Sequence, residues 1–237
     1  MTWIYTRNGE NRMIAFKGQE DLFKLIGSEL KERTECIVIG GSAMMYYNAK
    51  EGTKDIDLVF MEKKAFDDVK NALKNLEFIE RKSVIKIFKH YELLKKEKRK
   101  PVFMGGRNTR IDLFLKEVIC FEISETILNR ITEMHEYNNL IVKIIAPEDI
   151  ILLKCATERE KDRIDAFELI KKFNIKWDTV IKESINQTKE GKAIYPVFLY
   201  DFLLELKEDL KADIPGYVIR EIMKIGEKEM IKRLKKK

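Results

Sequence analysis

The segment Glu35–Met61, ECIVIGGSAMMYYNAKEGTKDIDLVFM, carries the strongest structural signal in the chain. It starts with a short apolar run, Cys36–Ile39, that stops at two glycines, which predicts a buried strand ending in a tight turn. A short helix is predicted to follow, with Ser42 as its N-cap. Asp55 and Asp57 then alternate with apolar residues, which places both carboxylates on one face of a second strand.

This order of features is typical of a magnesium–nucleotide site. The free backbone N–H groups at the start of a helix favour a bound anion, most often a phosphate. Neighbouring carboxylates are the protein ligands that Mg²⁺ takes alongside phosphate oxygens. We therefore expect the glycine turn to hold phosphates and the two aspartates to hold metal.

A third aspartate with the same surroundings occurs later in the chain. Asp112 lies in the alternating run RIDLFL, between Ile111 and Leu113. An ionised carboxylate with buried neighbours in a strand is costly unless a hydrogen bond, an opposite charge or a metal compensates it. Three such aspartates on two strands indicate a shared cation.

The composition restricts the class of protein. The 237 residues, 45% of them hydrophobic, suffice for one large domain or for a catalytic domain with a smaller helical partner. The net charge of +6 is compatible with an RNA or nucleotide partner without requiring one. Three scattered cysteines and two histidines leave little material for disulfides, zinc sites or His-based triads. With no secretory leader and no long apolar run, we expect a cytoplasmic protein that does not enter membranes.

The first part of the chain is predicted to alternate helices and strands. Helical periodicity occurs over residues 20–33 and 63–76, and strand patterns separate these segments, so we expect an α/β sheet of mixed direction. Asn138 and Asn139 predict a hairpin turn. A further strand is predicted over residues 83–89. The basic run KKEKRK that follows, residues 95–100, is either a solvated loop tip or a contact to a polyanion.

The pattern becomes helical throughout at Pro147. Proline at a helix start, with Glu148 and Asp149 in the first turn, is a strong N-terminal signature. We therefore predict an α/β domain over residues 1–145 and an all-helical domain over residues 146–237.

Two common phosphate-binding motifs do not fit. The dinucleotide fingerprint needs spaced glycines and a third glycine in the helix, whereas Gly40 and Gly41 are adjacent and no third one follows. A Walker-type loop needs Gly-Lys-Ser/Thr, which is missing after Gly41.

The complete order of motifs resembles the polymerase-β-like nucleotidyltransferase superfamily. The sequence Gly40-Gly41-Ser42 is followed by Asp55 and Asp57 on the next strand and by Asp112 on a later one. The resemblance implies a mixed-sheet, palm-like domain in which the Gly-Ser turn holds the nucleotide's phosphates. It also implies that the three aspartates bind two Mg²⁺ ions, or Mn²⁺, and catalyse transfer from a nucleoside triphosphate.

The second half is similar to the AbiEii-type (abortive-infection) nucleotidyltransferase toxins. The helix predicted to begin at Pro147 runs through Lys154 to about Glu158, and an Arg-x-Lys-Asp-x-x-Asp run begins at Arg159. The resemblance implies that Lys154 and Lys161 neutralise the nucleotide's charge. The remaining members of the run, Asp162 and Asp165, would orient these lysines or build the acceptor site. It further implies an RNA (tRNA) or protein acceptor and an antitoxin-like partner.

One residue departs from the toxin pattern. The loop before the aspartates usually reads Arg-x-Thr-x-Asp-x-Asp, but Glu51 stands where the arginine would be. Lys50 or Lys54 could replace it, although lysine is a point charge and not a bidentate fork. Two other interpretations therefore stay open: a catalytically silent nucleotide- or RNA-binding module, and an antibiotic-type enzyme that modifies a small hydroxyl compound.

Overall fold

The computed structural model describes residues 13–81, 101–106, 109–157 and 159–235. The strand predicted over residues 83–89 and the basic run at residues 95–100 lie outside this part of the chain. Most of the N-terminal arm, residues 1–12, lies outside it as well.

The described residues form a seven-stranded mixed sheet. Each strand is a short apolar or alternating run, as strand propensity requires. In spatial order the strands are β10 (Glu133–Tyr137), β11 (Leu140–Ile144), β2 (Thr34–Ile39), β4 (Asp55–Phe60), β7 (Arg110–Leu115), β6 (Val102–Gly105) and β5 (Ile79–Arg81). The pairs β11–β2 and β4–β7 are parallel, and the other neighbours are antiparallel. The predicted mixed α/β sheet and the hairpin at Asn138–Asn139 are confirmed.

Two further strand pairs and four helices complete the described part of this half, and two of the helices cover one face of the sheet. The short strands are β1 (Ile14–Ala15) with β3 (Gly52–Thr53), and β8 (Glu117–Val118) with β9 (Phe121–Glu122). The helices are α1 (Phe16–Glu29), α2 (Gly40–Tyr46), α3 (Lys63–Asn75) and α4 (Glu125–Leu128). Helices α1 and α3 pack against each other and against the sheet.

Helix α1 begins and ends four residues earlier than predicted. The prediction placed it over residues 20–33, but Leu30 already has extended backbone angles, and the chain then leads into β2 at Thr34. The apolar spacing used for the prediction continues past the true end because Leu30 is buried, although it is no longer helical.

The second half is helical, as predicted. Its elements are α5 (Pro147–Lys154), α6 (Glu160–Lys172), α7 (Trp177–Lys189), α8 (Tyr195–Glu208) and α9 (Gly216–Leu234). Pro147 occupies the first turn of α5 together with Glu148 and Asp149, so the predicted helix start is confirmed. None of the helices in the described residues is long and apolar enough to cross a membrane.

Buried contacts join the two halves. The ring of Phe121 packs 5.1 Å from that of Tyr195, whose hydroxyl donates a hydrogen bond to the Leu152 carbonyl at 2.7 Å. Arg130 forms ion pairs with Asp149 of α5 and Glu183 of α7. One continuous hydrophobic cluster includes residues from both halves. The domain boundary near residue 146 therefore stays a prediction, since the core itself does not divide there.

The three cysteines, Cys36, Cys120 and Cys155, are buried free thiols. Burial raises the pKa of each of them, so each thiol stays protonated at neutral pH.

The close approach of α1 to the β10–β11 hairpin depends on Gly27. A Cβ at this position would lie 1.8 Å from the Tyr137 carbonyl oxygen, whereas a Cβ at Gly18 in the same helix would meet only the Ile14 side chain, at 3.1 Å. Alanine is the better helix former by about 1 kcal/mol. We expect Gly18→Ala to leave the free energy of unfolding within about 1 kcal/mol of wild type, and Gly27→Ala to lower it by about 2 kcal/mol or more.

Urea unfolding of the two variants measures this difference. Equal stability of the two would show that the backbone contact between α1 and Tyr137 is not as close as described.

Candidate active site

The predicted aspartates meet on one face of the sheet. In the parallel register of β4 and β7, Asp55 lies opposite Arg110 and Asp57 lies opposite Asp112. Residues opposite each other in parallel strands project to the same side, so all four side chains share one face. The intervening residues point to the other face, where they are fully buried: Ile56, Leu58, Ile111 and Leu113. The buried face thus fixes the orientation of the acidic one.

Arg110 belongs to this cluster, and the sequence analysis missed it. Its Nε lies 2.8 Å from Asp112 Oδ1, and its Nη2 lies 2.9 Å from both Asp112 Oδ2 and Asp55 Oδ2. One signal for Arg110 was present in the sequence: the alternation of RIDLFL places it on the same strand face as Asp112. The pairing with Asp55 depends on the register between strands, which no short motif records.

The cluster carries more negative charge than Arg110 compensates. Burial, followed by the charge of Asp55, raises the pKa of Asp57, although Lys154, Arg159 and Arg110 act against the shift. Burial and the charge of Asp57 likewise raise the pKa of Asp112, which is only 4% exposed. Both shifts mean that the ionised carboxylates lack positive charge nearby, so the cluster favours a further cation.

The donor set fits a hard divalent cation, but two of the three carboxylates are already engaged. Three carboxylates on one face are suitable oxygen ligands for Mg²⁺ or Mn²⁺. In the part of the chain that the structure describes, no group of three or more Asp, Glu, His and Cys side chains stands in an arrangement ready to hold a metal ion. The Arg110 guanidinium bridges Asp55 and Asp112. A bound ion would therefore have to take over oxygens that now accept hydrogen bonds from Arg110.

The glycine turn passes directly beside these carboxylates. Gly40 has a φ of +61°, and a Cβ there would lie 2.8 Å from Asp57 Oδ2. A Cβ at Gly41 would lie 2.8 Å from Thr53 Oγ1. Both positions therefore exclude a side chain because the backbone runs close to the start of β4.

Ser42 has a different local role from the predicted one. Helix α2 begins at Gly40, directly after β2, so Ser42 lies inside the helix and is not its N-cap. The residue is fully buried, and its hydroxyl lies 3.4 Å from the Asp55 carbonyl oxygen, to which the Thr53 hydroxyl also donates, at 2.9 Å. Ser42 and Thr53 thus fix the start of the strand that carries Asp55 and Asp57.

A chain of alternating charges connects α5 and α6. Lys154, 8% exposed at its side chain, places its Nζ 2.6 Å from Asp162 Oδ1 and 2.5 Å from Asp165 Oδ2. Asp162 also accepts from Arg159 Nε at 2.7 Å, and Asp165 pairs with Lys50. Although burial acts to raise it, Lys154 and Arg159 hold the pKa of Asp162 below its usual range. Asp162 and Asp165 therefore hold Lys154 in place, and its ammonium is already compensated.

This charge chain lies within electrostatic range of the carboxylate cluster. Lys154 and Arg159 act on Asp57, and Asp55 acts on Lys161. Partial burial and the positive charge of Arg159 lower the pKa of Lys161. Lys154 and Lys161 thus lie close enough to the strand aspartates for their charges to interact. Asp162 and Asp165 are connected to this group through their ion pairs with Lys154.

Lys50 lies over the glycine turn, beside the departure at Glu51. Its Cδ is 3.6 Å from the position that a Gly41 Cβ would take, and its ammonium pairs with Asp165. Glu51 and Lys54 are exposed. Of the two lysines that could replace the missing arginine, Lys50 is therefore the one placed at the turn.

The position of Gly40 can be tested against a matched glycine. Gly191 also has a positive φ, +84°, but a Cβ there would meet nothing within 4 Å. We expect Gly191→Ala to lower the free energy of unfolding by about 1 kcal/mol, the cost of a left-handed backbone. Gly40→Ala adds the clash with Asp57 and is expected to cost about 2–3 kcal/mol. Urea unfolding checks both, and an equal loss would contradict the described proximity of Gly40 and Asp57.

The sequence was compared with curated proteins and with solved structures. No curated protein matches it. One solved structure that does match is an antigenic nucleotidyltransferase-like protein from Paracoccidioides brasiliensis, which is 14% identical. The match covers 88% of this chain and 99% of that one, with a TM-score of 0.45.

A family match covers most of the chain, including every residue of the candidate site. Residues 19–197 match the family described as a nucleotidyltransferase of unknown function (DUF6036). This span begins before the glycine turn and extends into α8. The chain therefore belongs to this nucleotidyltransferase family.

Proposed function

We propose that the protein is a metal-dependent nucleotidyltransferase that moves a nucleoside monophosphate from a nucleoside triphosphate to a hydroxyl acceptor and releases pyrophosphate. The observation that supports this most is the register that sets Asp57 beside Asp112 and Asp55 beside Arg110, next to the glycine turn. Family membership supports the reaction class.

In this proposal the three aspartates have distinct roles. Asp55 and Asp57 are the shared ligands of two divalent ions, and Asp112 completes the site on the side of the acceptor hydroxyl. When bound, such ions stabilise the entering and leaving oxygens of an in-line displacement. Asp112, which is almost fully buried beside Asp57, is proposed to accept the proton of that hydroxyl.

The phosphates are proposed to lie over the glycine turn. The turn carries no side chain at Gly40 and Gly41, where its backbone passes close to Asp57 and Thr53, and Ser42 is buried in the helix that follows. Two lysines are proposed to contact the phosphates: Lys50, whose side chain lies beside Gly41, and Lys161 of α6, whose charge interacts with that of Asp55. Lys154 is held by Asp162 and Asp165. We propose that it fixes the relative position of α5 and α6 and does not bind phosphate itself.

The proposed acceptor is a hydroxyl group on a macromolecule. An RNA such as tRNA and a protein are the acceptors suggested by the resemblance to AbiEii-type toxins, and an antitoxin-like partner is proposed on the same ground. A small hydroxyl compound and a silent nucleotide-binding module are the alternatives. Calorimetry with each of the four nucleoside triphosphates, with and without Mg²⁺, separates the module from an enzyme, since binding without turnover would favour the module.

The catalytic assignment is tested at Asp57. Wild-type protein incubated with each radiolabelled nucleoside triphosphate, Mg²⁺, total RNA and protein extract is expected to label an acceptor. Asp57→Asn should lower the rate by at least about 100-fold. Because burial and Asp55 already disfavour the ionised form of Asp57, the neutral substitution should not lower thermal stability.

The matched control is Asp67→Asn, which changes an acidic residue on α3 that pairs with Lys63 at the surface. It should label at the wild-type rate. A folded Asp57→Asn variant with undiminished labelling would refute the assignment.

The phosphate contact is tested by comparing two lysines four residues apart. We expect Lys50→Gln to raise the KM for the nucleoside triphosphate about tenfold, because a charged contact is lost. Lys54→Gln should leave KM unchanged, since Lys54 is exposed. Steady-state kinetics at varied triphosphate measure both. Indistinguishable KM values for the two variants would contradict the placement of Lys50 at the phosphates.

A further inference from the structure

We propose that Arg110 is the resident counter-ion of the carboxylate cluster, and that it sets how tightly this cluster binds divalent cations. The inference rests on the proposed function in that it takes Asp55, Asp57 and Asp112 as metal ligands. It adds a positioning residue that offsets the charge of the three carboxylates and competes with an incoming ion.

The backbone fixes Arg110 at this place. It is the cross-strand partner of Asp55, and it precedes Asp112 by two residues on the same strand face. Its guanidinium makes three hydrogen bonds to these two carboxylates, at 2.8, 2.9 and 2.9 Å. The two N–H groups directed at Asp112 form a bidentate contact, the geometry in which arginine binds carboxylates most strongly.

Charge balance explains why the cluster requires such a group. Three aspartates on one face repel one another, and Asp112 is almost fully buried. Arg110 supplies one positive charge, and the four groups together carry a net charge of −2 when all are ionised. Arg110 thus offsets part of the negative charge of the three aspartates, and the cluster keeps a net negative charge that favours a cation.

Arg110 engages the three carboxylates unequally. Both oxygens of Asp112 and one oxygen of Asp55 accept its hydrogen bonds, whereas none of these bonds goes to Asp57. A divalent ion therefore meets no competition from Arg110 at Asp57. At Asp112 it has to share or displace the bonds of the guanidinium.

The surroundings of Arg110 allow that displacement. Its side chain is 42% exposed, and its guanidinium lies over the Phe103 ring with 5.8 Å between the guanidinium carbon and the ring centroid. A half-exposed guanidinium can exchange carboxylate contacts for water while keeping its aromatic neighbour, so leaving the carboxylates does not require unfolding of the sheet. Arg110 and the metal are therefore alternative partners for the same oxygens.

The experiment compares Arg110→Gln with Arg33→Gln in the full-length, EDTA-treated protein. Arg33 forms an exposed ion pair with Glu136 and controls for the loss of an arginine–carboxylate contact elsewhere. Isothermal titration with Mn²⁺ gives the metal affinity, and thermal unfolding in EDTA and in Mg²⁺ gives the stability of the empty and loaded states.

If Arg110 competes with the ion, Arg110→Gln binds Mn²⁺ about tenfold more tightly than wild type, because one nearby positive charge is removed. It also unfolds at a lower temperature in EDTA and is stabilised more by Mg²⁺, whereas Arg33→Gln behaves as wild type. Arg110→Lys, which keeps the charge without the fork, should lie between the two and serves as the test if Arg110→Gln does not fold.

Unchanged or weaker Mn²⁺ binding by Arg110→Gln and Arg110→Lys would overturn the inference and leave the labelling reaction of the wild type intact. Absence of Mn²⁺ binding in wild type and in both variants, together with absence of labelling, would instead overturn the proposed function on which it rests.

Discussion

The parallel pairing of β4 with β7 is the constraint on which the site depends. This pairing sets Asp55 against Arg110 and Asp57 against Asp112, with fully buried apolar residues between them on the other face. A shift of one residue would turn the acids into the core and the apolar residues into solvent, so the buried face enforces the register. The chemistry is thus held in place by the packing behind it.

Two further features hold this pair of strands in place, the glycine turn and the charge chain of the helical half. The glycine turn, with Ser42 and Thr53 both directed at the Asp55 carbonyl, fixes where β4 begins. The charge chain through Lys154, Asp162 and Asp165 binds α5 to α6 and extends to Lys50 at the turn. The helical half therefore contributes to the site directly, which agrees with a core that is continuous across the two halves.

The sequence predicted most of this arrangement because its signals are local. Alternation placed Asp55 with Asp57, the apolar flanks identified Asp112, and Pro147 marked the first helix of the second half. The features that were missed depend on distant residues. Arg110 acquires its role from Asp55, 55 positions away, and Ser42 is buried inside a helix that begins at Gly40, three residues earlier than a cap at Ser42 predicts. The end of α1 was misplaced because Leu30 is buried and fits the apolar spacing of the helix, although its backbone is already extended.

The proposed reaction requires that the three aspartates bind divalent ions together with a nucleoside triphosphate. The most direct measurement is anomalous diffraction from crystals grown with Mn²⁺ and a non-hydrolysable triphosphate. We expect Mn²⁺ peaks in contact with Asp55 and Asp57, at least one of them also in contact with Asp112, with the triphosphate over Gly40 and Gly41. Bound triphosphate with no Mn²⁺ at these carboxylates, and with Arg110 still bridging Asp55 and Asp112, would contradict it.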